Sequence, residues 1–110
     1  FNQCHRLVCR ENLIVEHFGE SSGVWYDVGN PDGVFVDNWV ERTDNGFFFE
    51  ISKGAVVAGN VFLDCPTGVK LLNSRDVTVA NNTLPTITNL PDTTITATGN
   101  TGAIPFTVGD

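Results

Sequence analysis

Two carboxylates in this chain stand in matching places. Gly23-Val24-Trp25-Tyr26-Asp27-Val28 and Gly46-Phe47-Phe48-Phe49-Glu50-Ile51 are both apolar, β-prone runs that open on glycine, and each carries its acid at the fifth position. If the two runs are neighbouring parallel strands, the equivalent positions lie about 4.8 Å apart. Retaining glycosidases hold their paired carboxyl groups about 5–5.5 Å apart, so stacked strands give that geometry by default. Trp25 and Phe48 are offered beside the pair as faces on which a sugar ring could stack. The plainer alternative is that Asp27 and Glu50 are solvated surface acids.

The positioning elements follow from a repeat. Asn38, Asn60 and Asn82 recur every 22 residues, and Asn12 precedes the series by 26. Each follows a short β-branched run. The glycine-led runs interleave with them, at Gly23, Gly46 and Gly68. Strands at this interval, joined by turns too short for a crossover helix, predict a parallel β-solenoid. Stacked coils turn the asparagines into a ladder whose amides bond from coil to coil, because an amide both donates and accepts. Alternation then assigns faces. Val24, Tyr26 and Val28, Phe47, Phe49 and Ile51, and Val69 and Leu71 should line the core. Trp25, Phe48 and Lys70 should form one outward column, and Asp27, Glu50 and Leu72 a second.

Composition narrows the classes. The 110 residues carry six Lys or Arg against thirteen Asp or Glu, a net charge of −7. That balance repels a polyanion and argues against a nucleic-acid partner. No apolar run reaches the ~20 residues of a membrane-spanning helix, so no membrane partner is expected. Three cysteines, Cys4, Cys9 and Cys65, read as small buried hydrophobes rather than a disulfide framework. The opening residue is Phe1 rather than Met, from which an upstream segment is expected.

The residues quoted above resemble right-handed parallel β-helix repeat proteins of bacteria. More narrowly, Gly23 to Asp27 and Phe48-Phe49-Glu50-Ile51 are similar to the G-I-W-L-D strand and the F-x-E-[IV] strand of β-helix glycoside hydrolases of the β-xylosidase type. The resemblance implies an all-β, right-handed parallel β-helix of four to five coils over residues 1–84, with 85–110 an irregular final coil or cap. It implies a secreted or periplasmic carbohydrate-active protein, with Asp27 as nucleophile, Glu50 as general acid/base, and Trp25, Phe48 and Lys70 contacting a polysaccharide or oligosaccharide. The family's many further coils, which complete a sugar pocket, have no counterpart in these residues.

Other candidates lie around this pair. Asn12 to Gly23 is longer than the equivalent connections and reads as a loop bearing His17 and Glu20, with His17 at the mouth of the groove. No cofactor is called for by the hydrolase reading. A polysaccharide lyase is one alternative, with Lys70 or Lys53 as base and Asp27 and Glu50 holding Ca²⁺. A non-catalytic carbohydrate-binding or structural module is another. An open solenoid edge also offers a second copy of the chain a place to pair, as a homodimer.

Overall fold

The computed structural model describes residues 1–83, 95–97 and 106–108; the side chains of Phe18 and Glu20 and of residues 95–97 and 106–108 lie outside the description. The described residues are strands and turns, with no helix. Strands β1 (Val8–Arg10), β3 (Gly33–Val36), β5 (Lys53–Ala58) and β8 (Arg75–Ala80) form one parallel sheet in that order. Strands β2 (Leu13–Tyr26), β4 (Trp39–Glu50), β6 (Val61–Leu63) and β7 (Thr67–Leu72) form the other, with β6 and β7 pairing with the two ends of β4. This is a parallel β-solenoid of about 3 turns, as the repeat predicts. That is fewer than the four to five coils expected, and residues 85–110, expected as an irregular final coil or cap, lie largely outside the description. Strands β9 (Ile95–Ala97) and β10 (Phe106–Val108) pair antiparallel with each other.

The chain turns corners through residues in the left-handed region, and these also stack. Gln3, Gly29, Ile51 and Asn73 form one such column. Arg6, Asp32, Gly54 and Asp76 form a second, Glu11, Asp37, Gly59 and Asn81 a third, and Glu16, Arg42 and Asp64 a fourth. Each column repeats with the coil, so one backbone path is copied from turn to turn.

The corner after the third column carries the asparagine ladder. Asn38, Asn60 and Asn82 are buried. Asn60 Nδ2 donates to Asn82 Oδ1 at 2.9 Å and to the Phe35 carbonyl at 2.9 Å. Its Oδ1 accepts from Asn38 N at 2.9 Å and from Asn38 Nδ2 at 3.0 Å. Both donors and both acceptor sites of the amide are thus used, which is the full capacity of the group.

Between the sheets lies an aromatic core of Tyr26, Phe35, Phe47, Phe49 and Phe62, with Val40, Ala55 and Val57. Phe35 and Phe47 stack with centroids 4.4 Å apart, and Tyr26 meets Phe47 edge-on at 4.9 Å. Burying each such ring contributes roughly 1.5–3 kcal/mol. The glycine row makes room for this layer. A Cβ on Gly46 would stand 2.6 Å from the Gly68 carbonyl oxygen and run into the Phe62 ring, and one on Gly23 would stand 2.8 Å from the Gly46 carbonyl oxygen.

Three expected core residues fall elsewhere. Val28, Ile51 and Leu71 are exposed. Val28 and Ile51 follow the last strand residue, where the corner resets the alternation. Leu71 sits on β7, beyond which the description holds no strand of that sheet. The connection from Asn12 to Gly23 is likewise not a loop. It is the continuous strand β2, whose register shifts between His17, opposite Thr43, and Ser22, opposite Asn45. The added residues are absorbed as a bulge, where Gly19 N donates to Asp44 Oδ2 at 3.2 Å.

Asn60→Ala leaves the Phe35 carbonyl and the Asn38 amide without their partners. It should lower the free energy of unfolding by about 3 kcal/mol, read from urea titrations, whereas the exposed end rung Asn12→Ala should cost about 1 kcal/mol or less.

Candidate functional site

The paired strands set the site through two buried anchors. Tyr26 and Phe49 are register partners with no exposed surface. Their neighbours therefore face outward, Trp25 opposite Phe48 opposite Lys70. Asp27 and Glu50 each follow one of these anchors; the pairing of β2 with β4 ends at Tyr26 and Phe49, and Glu50 pairs with Leu72. The first expected outward column is thus present, and of the second the register gives the Glu50–Leu72 pair.

The first column is a stack. The Trp25 and Phe48 rings lie 5.2 Å apart at 18°, and Lys70 Nζ sits 4.6 Å from the Phe48 centroid. A cation over a ring face is attracted by the ring quadrupole. Phe48, covered by both, is only 7% exposed, so it supports Trp25 more than it presents a surface of its own. Trp25 is 40% exposed. Its Nε1 donates to Glu50 Oε2 at 3.2 Å, which ties the aromatic column to the acidic one and fixes the Glu50 carboxylate. Among the described residues, Lys70 forms no ion pair and the Asp27 carboxylate makes no hydrogen bond.

What holds Asp27 and Glu50 in place is a second polar ladder. Asn30, Ser52 and Ser74, spaced 22 apart, occupy the corner just beyond them. Asn30 N donates to Ser52 Oγ at 2.9 Å, and Ser52 N to Ser74 Oγ at 3.2 Å. Ser52 Oγ in turn donates within reach of the carbonyls of Asp27, at 2.9 Å, and Glu50, at 2.8 Å. Asn30 Nδ2 adds a 2.6 Å bond to the Asp27 carbonyl. One hydroxyl therefore clamps the backbones of both candidate residues. The interval of 22 was the available signal for this ladder, and the change of residue type along it concealed the row.

Between Glu50 and Ser52 stands Ile51, with φ of 44°. A β-branched side chain is a poor occupant of the left-handed region. Its column mates Gln3, Gly29 and Asn73 are types that tolerate it better. The strain sits directly after the candidate acid/base.

His17 stands apart from this assembly. It is exposed, its Nε2 is 2.8 Å from Ser21 Oγ, and it lies across the bulge from Trp25. The Glu20 side chain lies outside the described residues. A second exposed tryptophan, Trp39, which alternation alone could have flagged, sits at the start of β4 with Nε1 on Glu41 Oε2 at 3.0 Å. The three cysteines are free thiols. Burial pushes the Cys9 thiol above its ordinary value, partly offset by the Asn12 amide, which leaves little thiolate for nucleophilic chemistry. Among the described residues, no three His, Cys, Asp or Glu side chains are grouped so as to hold a metal ion.

Ile51→Gly relieves the left-handed strain and should raise the free energy of unfolding by about 1 kcal/mol. Val56→Gly, an exposed residue in ordinary strand conformation, should lower it by a similar amount. Thermal unfolding of the two variants checks both signs.

Residues 1–84 match the family described as the right handed beta helix region. No curated protein and no solved structure matches the chain.

Proposed function

Because the chain belongs to the right-handed β-helix family, whose fold is shared by glycoside hydrolases, lyases and non-catalytic proteins, we propose that it is carbohydrate-active, as a retaining glycoside hydrolase. The observation that carries this reading is that Asp27 and Glu50 each follow one of the paired residues Tyr26 and Phe49, beside an exposed Trp25 that also bonds Glu50.

In this reading a sugar ring packs on Trp25. Asp27, whose carboxylate makes no hydrogen bond among the described residues, attacks the anomeric carbon as Glu50 gives its proton to the departing glycosidic oxygen. The C–O bond to the leaving group breaks and a glycosyl ester forms on Asp27. Glu50, now a carboxylate, takes a proton from water, whose oxygen attacks the anomeric carbon and releases Asp27. Trp25 keeps the Glu50 carboxyl aimed at the scissile bond through its Nε1 hydrogen bond. The Ser52 clamp keeps the two backbones at a fixed separation throughout.

The covered stack of Trp25, Phe48 and Lys70 favours one second reading. A rigid aromatic platform with Glu50 as an acceptor for sugar hydroxyls would serve a non-catalytic carbohydrate-binding module equally well.

Hydrolysis of a panel of aryl glycosides separates the two. Asp27→Asn should lower kcat by about 10²-fold or more for every leaving group. Glu50→Gln should lower it by about 10²-fold for poor leaving groups and far less for a dinitrophenyl group, which departs without protonation. Unchanged rates in both variants would sink the catalytic assignment. Binding that is lost in Trp25→Ala and kept in the other two would then identify a binding module.

A further inference from the structure

A groove among the described residues lies outside the carboxylate pair. It has a volume of about 700 Å³, and its lining includes His5, Gly29, Ile51, Lys53 and Arg75. That volume suits a small ligand or a sugar unit. On a chain of net charge −7 with six Lys and Arg, its lining contains two of those cations and one of the two histidines, and among the described residues no Asp or Glu.

The cations are adjacent by construction. Lys53 and Arg75 are register partners on β5 and β8, so their Cα atoms stand about 4.8 Å apart. Like charges directly opposite on neighbouring strands are destabilising. Among the described residues Lys53 has no ion pair. Arg75 has only Asp76, at 3.3 Å, with both side chains well exposed, and such a pair contributes little. The Ser52 and Ser74 hydroxyls donate to backbone carbonyls and so form floor. The unbalanced charge in this groove is positive.

We propose that the groove binds the carboxylate or sulfate group of an acidic glycan. An oxyanion between Lys53 and Arg75 neutralises both, and Arg can take it with two parallel N–H bonds. The anion site stands on the groove itself, and that its bearer is a glycan rests on the hydrolase reading. The two sites share a corner. Ile51 and Ser52 of the groove follow Glu50 directly, and Gly29 is two residues past Asp27. A chain lying over Trp25 therefore meets the groove with a neighbouring unit.

Calorimetric titration with three hexamers tests this: galactose, galacturonic acid, and the galactose hexamer after sulfation. At low salt at least one acidic hexamer should bind about tenfold or more tightly than the neutral one, and physiological salt should weaken that preference. The arm that binds identifies the group. Lys53→Gln and Arg75→Gln, both surface changes that leave the ladders intact, should each remove about tenfold. Arg10→Gln, an equal charge change on an exposed residue outside the groove, should leave the affinity unchanged. Equal affinity for all three hexamers would overturn the proposal, as would a loss in Arg10→Gln matching that in Lys53→Gln. Asp27→Asn should abolish hydrolysis and keep the preference for acidic hexamers. An active-site assignment that fails with that preference intact therefore leaves the groove standing.

Discussion

A solenoid must turn corners inside its own core, and each corner strands backbone amides and carbonyls where water cannot reach. Here the requirement is met by the coil below. Asn60 and Ser52 each occupy a corner, accept from the backbone amide of the preceding coil and donate to carbonyls around them. Everything else in the structure depends on that arrangement. It fixes the four columns of left-handed residues, and with them the register of every strand. It also explains why the core can be built from unusually large rings. Rows of glycine and stacked phenylalanine interlock only if no strand slips by one residue, since a slip would send each ring to the solvent face.

The same constraint acts on the outside. Outward side chains of successive coils stand directly above one another, so a surface residue is packed along the axis as well as exposed to water. Phe48 is the result: it points away from the core and is nonetheless covered, by Trp25 on one side and Lys70 on the other. Stacking also makes charge local. An acidic chain can present a carboxylate bonded to an aromatic stack on one face and two cations around the next corner, because each corner begins a separate column.

Much of this was legible in the sequence where one residue type recurs. The asparagines at 38, 60 and 82 and the glycines at 23, 46 and 68 revealed the coil, and alternation from the glycines placed Trp25, Phe48 and Lys70 in one column and Glu50 with Leu72 in another. Three things were hidden, each for a physical reason. Asn30, Ser52 and Ser74 do one job with different side chains, because a hydroxyl and an amide oxygen are interchangeable as acceptors there. Ile51 and Val28 read as core because period-2 alternation carries no mark of where a left-handed residue breaks it. His17 read as a loop residue because extra length in a strand looks like extra length in a turn until its pairing is known.

The bulge after His17 departs from the coil length of its neighbours without disturbing them. Pairing resumes at Ser22 in the register that the next coil requires, as though the added residues had never been inserted. Gly19, whose absent Cβ would meet nothing within 4 Å, sits at the crest. The rod therefore tolerates a change of length at this point, much as a knitted row absorbs an extra stitch. A foreign peptide spliced in at Gly19 would hang from the side of the stack, and a lineage of such proteins could gain loops there while every rung above and below kept its place.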